Sequence, residues 1–359
     1  MRCSKCILSD TVPEISFNDK KVCNYCSENF PPYFPEGDEK LSRFLQENIR
    51  EGTNADCLVG LSGGKDSTYA LVKLKEEFNM RVEAFTYVHE GSASFSIENA
   101  KNTCKKLNIK HHIVSLDKQT HLKTFNGFFK AWLKAPSPTT AAMTCVACKH
   151  LHILGLEIAE KRNIPMIVWS ATPFEEPPFL AIKRYTDGKK LKQVSNTKSS
   201  ILLLKEMLKT KEFPATFINN FNICINGCLA VNPEATYLKR KFPKVIPVLF
   251  FHYHNWEPKL IKEYIKAKVD WKFPDDKEDW HSDCLFHYFK EYMFISMYGT
   301  SYLEAFLSNQ IRYGIISKEE ALLKIEESKL TNSTGILNAL ETLNLKHLKS
   351  EINTSIFNT

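Results

Sequence analysis

The sequence predicts an α/β protein with a doubly wound parallel sheet, an N-terminal zinc knuckle and a mostly helical C-terminal region. Three observations support this prediction. Short apolar runs alternate with helical patterns between residues 56 and 171, as they do in parallel sheets. Two C-x2-C pairs precede this part of the chain, and helical patterns dominate after it. The 359 residues suffice for more than one domain, and we divide them into 1–30, 40–255 and 256–359.

The individual elements follow from hydrophobic spacing and from the residues that bound each run. Strands are predicted at residues 56–61, 82–88, 111–116, 164–171 and 247–256. Helices are predicted at residues 40–50, 67–78, 96–107, 120–134, after the Cys148 turn to about Arg162, 256–268, and after Ser317, which starts a capping box with Glu320. On the last strand His252 and His254 would share one face, which is more typical of a polar core than of a metal site.

Composition excludes several classes of protein. Apolar residues make up 43% and charged residues 25% of the chain, which is typical of globular proteins and excludes a fibrous or wholly disordered chain. There is neither an apolar run of about 18 residues, as a membrane span needs, nor an export signal, so we expect a cytoplasmic protein. Between Lys183 and Lys211 nine basic residues face two acidic ones, a surplus equal to the net charge of the chain. This segment predicts either an anion or RNA contact or a solvated surface.

The first four cysteines have the spacing of a structural zinc site. They are Cys3, Cys6, Cys23 and Cys26, and sixteen residues separate the two pairs. Four thiolates close a tetrahedral site and leave no position for catalysis. About 26 residues bury too little apolar surface to fold alone, so the metal would supply folding free energy. Two disulfides or four free thiols are the alternatives. Cys57 and Cys104 lie in apolar patterns and are predicted to pack in the core.

The segment LSGGKDSTYA (61–70) follows a predicted strand and opens a predicted helix. Its two glycines allow a tight turn and a close backbone approach to a ligand. The helix start presents free N–H groups, so the loop is suited to phosphate. Hydroxyls from Ser62 and Ser67 and the charge of Lys65 add to this cradle. The spacing fits neither the Walker A loop nor the dinucleotide fingerprint.

The S-G-G-x-D-S pattern in this setting resembles the PP-loop ATP pyrophosphatases, which have the adenine nucleotide alpha hydrolase-like fold. The resemblance implies cleavage of ATP between its α- and β-phosphates, transfer of AMP to a substrate oxygen and release of pyrophosphate. It implies catalytic roles for Lys65 and for Asp66, which would also orient Mg2+. The implied nucleotide-binding residues are Leu61, Ser62, Gly63, Gly64, Asp66, Ser67, Tyr87, Val88 and Ser170, with the adenine at the carboxyl ends of the strands.

The knuckles, the SGGKDSTY loop, IPMIVWSA and IRYGIISKEEAL resemble one subgroup, the lipopolysaccharide N-acetyl sugar amidotransferases. One feature departs from that subgroup. The C-x2-C of Cys145 and Cys148 resembles instead the thiolation enzymes of the same superfamily, in which such a pair and a later cysteine hold an iron–sulfur cluster. By this resemblance Cys145 and Cys148 are catalytic ligands of a [4Fe-4S] cluster. The third ligand is Cys284, with Cys224 or Cys228 as alternatives.

The chemistry of the Cys145 pair has other interpretations. The pair precedes a predicted helix, whose N-terminus would lower a thiol pKa and favour the thiolate. A second zinc, a redox or persulfide pair, or no chemistry at all remain alternatives to the cluster.

Three functions follow from these observations. The first is an enzyme that uses ATP, Mg2+ and the cluster to replace a substrate oxygen by sulfur. The second is a sugar amidotransferase supplied with ammonia by a partner, since no glutaminase triad is evident. The third is a zinc-ribbon RNA-binding protein. The expected partners are ATP, a small-molecule or RNA substrate, and a sulfur- or ammonia-donor protein. No residue pattern identifies a general base.

Overall fold

A computed structural model describes residues 1–27, 35–175, 183–185, 191–193, 203–273 and 283–358. Its centre is a five-stranded sheet with the order β3-β2-β1-β4-β7, in which every neighbouring pair is parallel. The strands of this sheet are β1 (Cys57–Gly60), β2 (Val82–Tyr87), β3 (Lys110–Val114), β4 (Met166–Trp169) and β7 (Ile246–Leu249). Two further strands, β5 (Lys183–Tyr185) and β6 (Leu191–Gln193), pair antiparallel with each other. The predicted α/β class with a parallel sheet is confirmed.

Helices account for most of the remaining described residues. In chain order they are α1 (Asn24–Ser27), α2 (Asp38–Glu47), α3 (Lys65–Glu76), α4 (Ser94–Lys106), α5 (Thr120–Lys134), α6 (Pro138–Met143), α7 (His150–Lys161), α8 (Glu212–Asn219), α9 (Phe221–Leu229), α10 (Thr236–Lys241), α11 (Phe250–Tyr253), α12 (Pro258–Val269), α13 (Phe286–Tyr298), α14 (Tyr302–Arg312) and α15 (Lys318–Thr342). Among the described helices, none combines the length and the apolar character needed to cross a membrane.

The sheet is covered on both faces, as doubly wound folds require. Side chains alternate along β1, so Cys57 and Val59 join one apolar cluster while Leu58 joins another. Helices α3 and α4 pack in the first cluster and helix α7 in the second. Cys57 and Cys104 both lie in the first cluster and are almost fully buried, which confirms their predicted packing role.

The chain ends pack into the same core as the sheet. Ile7 from the N-terminal segment and Phe294, Leu307 and Ile325 from the C-terminal helices belong to the cluster that contains Val59. A third apolar cluster, distinct from the two that cover β1, joins α5 to α13 and α15. The three-domain division remains a prediction. Residues 186–190 and 194–202 of the predicted basic segment 183–211 lie outside the described residues.

The predicted strand 247–256 is wrong over most of its length. Strand β7 ends at Leu249, and the next four residues form the helical turn α11. Phe250 and Phe251 are both fully buried in one cluster, which a turn permits and strand alternation does not. His254 consequently leaves the sheet and bonds to the Tyr69 hydroxyl at 2.7 Å.

Helix α15 begins where the sequence predicts, because Ser317 Oγ accepts a hydrogen bond from the Glu320 amide. The reciprocal capping box, with both hydrogen bonds present, lies instead at Ser301 and Glu304, where it starts α14.

Candidate active site

The loop from Leu61 to Ser67 lies at the carboxyl end of β1, the central strand. The chain runs outward from β1 through β2 to β3 and returns to the other side of β1 as β4. The loop therefore occupies the switch point in strand order, where α/β proteins bind ligands. Gly63 has a φ of +84°, and a Cβ there would lie 1.8 Å from the Ser96 carbonyl oxygen. Only glycine fits this position.

Two hydroxyl groups hold the loop in its curled shape. The Ser62 amide donates to Ser67 Oγ at 3.1 Å, and the two hydroxyl oxygens are also 3.1 Å apart. The Gly64 amide donates to Ser62 Oγ at 3.2 Å. Leu61 is buried and its amide donates to the Phe85 carbonyl, so its side chain belongs to the core. The two serine hydroxyls and two loop amides thus form one hydrogen-bonded turn at the start of α3, the kind of helix start at which phosphate binds.

Two tryptophans that the sequence analysis did not single out fix the loop from the outside. Trp256 Nε1 donates to Asp66 Oδ1 at 2.8 Å, and Trp271 Nε1 donates to the Gly63 carbonyl at 2.9 Å. Lys65 Nζ lies 3.2 Å from Asp66 Oδ2. The carboxylate of Asp66 is therefore oriented from both sides.

Two further carboxylates lie beside Asp66, and the sequence analysis missed both. Burial raises the pKa of Asp283, against a hydrogen bond from Ser62 that lowers it. Burial and then the charge of Asp66 raise the pKa of Glu175. Carboxylates with nearby phosphates are the ligands Mg2+ prefers, and it usually keeps several waters. Asp66, Asp283 and Glu175 thus bring three carboxylates near the loop, although their oxygens do not all lie within 4.8 Å of one another in the described chain.

Cys284 directly follows Asp283 and lies next to the end of β2. Its backbone bridges to Ser92, and its Sγ is 4.0 Å from His89 Nε2. Burial, and then the charge of Cys148, raise the pKa of Cys284 well above its ordinary value. Cys145 and Cys148 lie in the turns between α6 and α7. The structure therefore brings Cys284 into electrostatic range of the Cys145 pair.

The predicted lowering of the thiol pKa at this pair is wrong for Cys148. Burial raises its pKa to about 11, and the neighbouring charge of Cys145 adds to the rise. Desolvation disfavours the anion more strongly than the start of α7 favours it. A bound cation or cluster would favour the thiolate form of this sulfur.

The alternative third ligands have different surroundings. Cys224 is fully buried among Phe128, Phe213 and other apolar side chains. Cys228 Sγ lies 3.7 Å from Met143 Sδ. Burial raises the pKa of both thiols, and no Cys145 or Cys148 charge contributes to either shift. Of the three candidates, Cys284 is the one that the charges of the pair reach.

Aromatic and histidine side chains lie at the end of β2, next to the Cys145–Cys148 turn and Cys284. Tyr87 Oη lies 2.9 Å from His121 Nδ1 and donates to the Ala147 carbonyl at 3.4 Å. Burial lowers the pKa of His89 to about 4 and that of His121 to about 2, so both are neutral near pH 7. Val88 extends the β2–β3 pairing through its amide, and Ser170 follows β4 half-buried. Their contact with adenine remains a prediction.

Lys290, which no sequence motif indicates, acts through its charge on both a carboxylate near the loop and the cysteine pair. Lys290 Nζ lies 3.6 Å from the centre of the Tyr302 ring. Its positive charge lowers the pKa of Glu175 and of Cys148 against the larger effect of burial. The charge of Lys290 thus reaches both a carboxylate near the loop and the cysteine pair.

The four N-terminal cysteines form a second, separate group. Their sulfurs all lie within 4.8 Å of one another, and no other such group of possible ligands occurs in the part of the chain that the structure describes. All eleven cysteines lie in that part, and none forms a disulfide. The Cys6 and Cys23 amides donate to Cys3 Sγ at 3.5 and 3.2 Å. Four clustered sulfurs with N–H donors fit a tetrahedral metal ion.

Residues 56–150 match the family model of the queuosine biosynthesis protein QueC. Over these residues the chain is similar to QueC and thereby to the PP-loop ATP pyrophosphatase superfamily. They contain the whole loop and both Cys145 and Cys148. Members of this superfamily, QueC among them, are enzymes. The PP-loop resemblance predicted from the sequence is confirmed at this level, whereas the amidotransferase subgroup is not.

Two curated relatives match parts of the chain. An uncharacterized protein of Methanocaldococcus jannaschii, MJ1599, is 32% identical over 120 residues, which are 33% of this chain and 43% of the relative. An NH3-dependent NAD+ synthetase of Campylobacter jejuni subsp. doylei is 30% identical over 78 residues, 22% of this chain and 32% of the synthetase. The chain thus spans less than half the length of either relative.

Among solved structures, the U34-tRNA thiolase NcsA of Methanococcus maripaludis with its [4Fe-4S] cluster is similar at a TM-score of 0.34 and 15% identity. The alignment covers 90% of this chain and 88% of the thiolase.

Proposed function

We propose that this chain is an ATP-dependent PP-loop enzyme that adenylates a substrate oxygen and then replaces that oxygen by sulfur. One observation carries the proposal. Ser62 of the PP-loop donates a hydrogen bond to Asp283, and Cys284 is the next residue in the chain. The charge of Cys148 also raises the pKa of Cys284. A sulfur site and an ATP site would thus share one short segment of chain.

In the first step the substrate oxygen attacks the α-phosphorus of ATP. A new P–O bond forms, the bond to the β-phosphate bridge breaks, and pyrophosphate leaves. The loop amides, the two serine hydroxyls and Lys65 would stabilise the charge that builds on pyrophosphate. Asp66 would hold Mg2+ on the same phosphates, with Glu175 or Asp283 bound through the waters that Mg2+ usually keeps. The adenine would lie against Tyr87, Val88 and Ser170.

In the second step hydrosulfide attacks the activated carbon. A C–S bond forms, the C–O bond breaks, and AMP leaves with the former substrate oxygen, so no oxidant or reductant is needed. Lys290 is placed to stabilise negative charge between the carboxylates and Cys145. The sulfide would come from a donor protein or from free sulfide.

The charges of Cys145 and Cys148, which reach Cys284, support a three-cysteine cluster at the second cysteine site. Cys145, Cys148 and Cys284 would hold it, and a cluster so ligated supplies one open iron to bind sulfide. The three sulfurs are not among the groups close enough for one ion in the described chain, whereas a cluster several atoms across accepts wider spacing. The partial exposure of all three would admit substrate.

A second candidate uses ammonia in place of sulfide after the same adenylation. The 30% identity to an NH3-dependent NAD+ synthetase over 78 residues favours it. It requires no cluster at Cys284.

The deciding experiment measures iron and acid-labile sulfide in anaerobically prepared protein. We expect cluster-level iron and sulfide in the natural chain, loss of both in Cys284→Ala, and retention of both in Cys228→Ala, the matched control. Thiolated product should form only with the cluster present. Protein free of iron and sulfide, with pyrophosphate release stimulated by ammonia, would replace sulfur transfer by the amidotransferase alternative.

We further propose that the N-terminal group holds one structural zinc. Replacing Cys23 by serine should release that zinc and lower the free energy of unfolding by about 2–5 kcal/mol, because the small apolar cluster of this segment is built around the cysteines themselves. Zinc content by mass spectrometry and thermal unfolding measure the two effects. Cys104→Ser, a buried cysteine outside the group, should keep the zinc. A chain that is equally stable after zinc loss would contradict the structural role.

A further inference from the structure

The N-terminal module is docked onto the C-terminal helices along the length of α14. Arg2 Nη1 donates to Glu304 Oε1 at 2.6 Å, next to the start of that helix. Thr11 Oγ1 donates to the Gly299 carbonyl at 2.9 Å. Lys318 Nζ donates to the Cys3 carbonyl at 2.6 Å, beyond the other end. The module therefore shares a fixed interface with the main body.

At the end of α14, Arg312 contacts two of the four N-terminal cysteine sulfurs directly. Its Nε donates to Cys26 Sγ at 3.3 Å, and one terminal nitrogen lies 3.8 Å from Cys6 Sγ. The other terminal nitrogen donates to Asn309 Oδ1 at 2.5 Å, one helical turn away. Because guanidinium is planar, contact with the two cysteine sulfurs fixes the direction in which it meets Asn309.

Asn309 in turn forms a hydrogen bond with the segment that follows β4. Its Nδ2 donates to the Phe174 carbonyl at 2.8 Å, in surroundings that leave the side chain about 5% exposed. The Phe174 ring is fully buried and lies 5.2 Å from the ring of Trp256. Trp256 in turn donates to Asp66. One continuous series of contacts thus joins the N-terminal cysteine group to the carboxylate of Asp66 in the PP-loop.

We propose that Asn309 is a positioning residue that couples the metal site of the N-terminal module to the PP-loop through Phe174 and Trp256. Amides and side chains that are packed this tightly have few alternative arrangements, so loss of one contact shifts the next. The N-terminal metal then stabilises the geometry of Asp66 as well as its own module. The consequence for catalysis rests on the proposed function, whereas the coupling itself does not.

The test compares Asn309→Asp with the natural chain by hydrogen exchange of backbone amides. An aspartate has the same shape and still accepts from Arg312, but it has no N–H for the Phe174 carbonyl. We expect the metal to remain bound and amide exchange at residues 61–68 and 171–175 to rise about tenfold, the ratio for loss of one buried hydrogen bond. Exchange at β3, on the far edge of the sheet, should not change. Lys318→Ala, which touches the same module, should leave residues 61–68 as they are.

Removal of the metal with a chelator provides the second arm. In the natural chain it should raise exchange at residues 61–68, and in Asn309→Asp it should add little, because both changes break one path. Unchanged exchange in Asn309→Asp, or effects that simply add, would overturn the proposal. If Asn309→Asp raises exchange at β3 as well, the uncharged Asn309→Ala replaces it and is judged by the same criteria. Failure of ATP to protect residues 61–68 in the natural chain would refute the proposed function and leave the coupling result standing.

Discussion

Replacing Asp66 by asparagine is expected to lower kcat/KM for pyrophosphate release by about 10²–10³-fold, as loss of one well-placed electrostatic group does. The asparagine keeps the shape and can still accept the hydrogen bond from Trp256, so the loop should retain its fold. It removes the negative charge next to Lys65 and one carboxylate of the proposed Mg2+ set. The charge change is thus separated from a change in structure.

Initial rates of pyrophosphate release at several Mg2+ concentrations measure this effect. Asp117→Asn is the control, because Asp117 lies exposed before α5, away from the loop. Its rate should equal that of the natural chain. If Asp66→Asn keeps full activity, the loop does not bind a catalytic metal–phosphate group and the assignment of Asp66 is wrong.

Replacing Gly63 by alanine is expected to lower the free energy of unfolding by about 3 kcal/mol. The added Cβ would lie 1.8 Å from a backbone oxygen of α4, so helix or loop must move. The φ of +84° adds strain that an L side chain cannot relieve in place. The same displacement would disturb the amides that face the phosphates.

The neighbouring glycine supplies the control. Gly64 has a φ of −69°, and a Cβ there would come no closer than 3.3 Å, to Ser62 Oγ. Gly64→Ala should therefore lower the free energy of unfolding by less than about 1 kcal/mol. Thermal or urea unfolding of both variants gives the comparison. Equal stabilities would mean that the loop does not hold the backbone described here.

Local pattern was sufficient for most of the sheet and for several helices. The ends of strands β1 to β4 lie within two residues of the ends of the predicted runs, and α5 covers the predicted residues 120–134. These runs are bounded by turn residues and have one clear period. The run 247–256 has no such boundary, and the burial of two adjacent phenylalanines ends its strand early.

The composition of the candidate site could be predicted only in part. The loop and the cysteine pair are short motifs, so the sequence displays them. Trp256 and Trp271 contact the loop from 190 and 208 residues away in the sequence. No sequence motif predicts a contact over such a separation. The same holds for Glu175, Asp283 and Lys290, whose importance arises from their burial near the loop. Cys284 is one of three candidates in the sequence, and the fold alone brings it next to Ser92 and within range of the charge of Cys148.

The docking of the N-terminal module has a consequence for the order of events during synthesis on the ribosome. Arg2 and Cys26 bond to Glu304 and Arg312, which lie 302 and 286 residues later. At about 5–20 residues per second, those partners emerge roughly 15–60 s after the cysteines. The nascent module therefore has time to take up its metal while its final binding surface does not yet exist, and metal capture would precede assembly of the site around the loop.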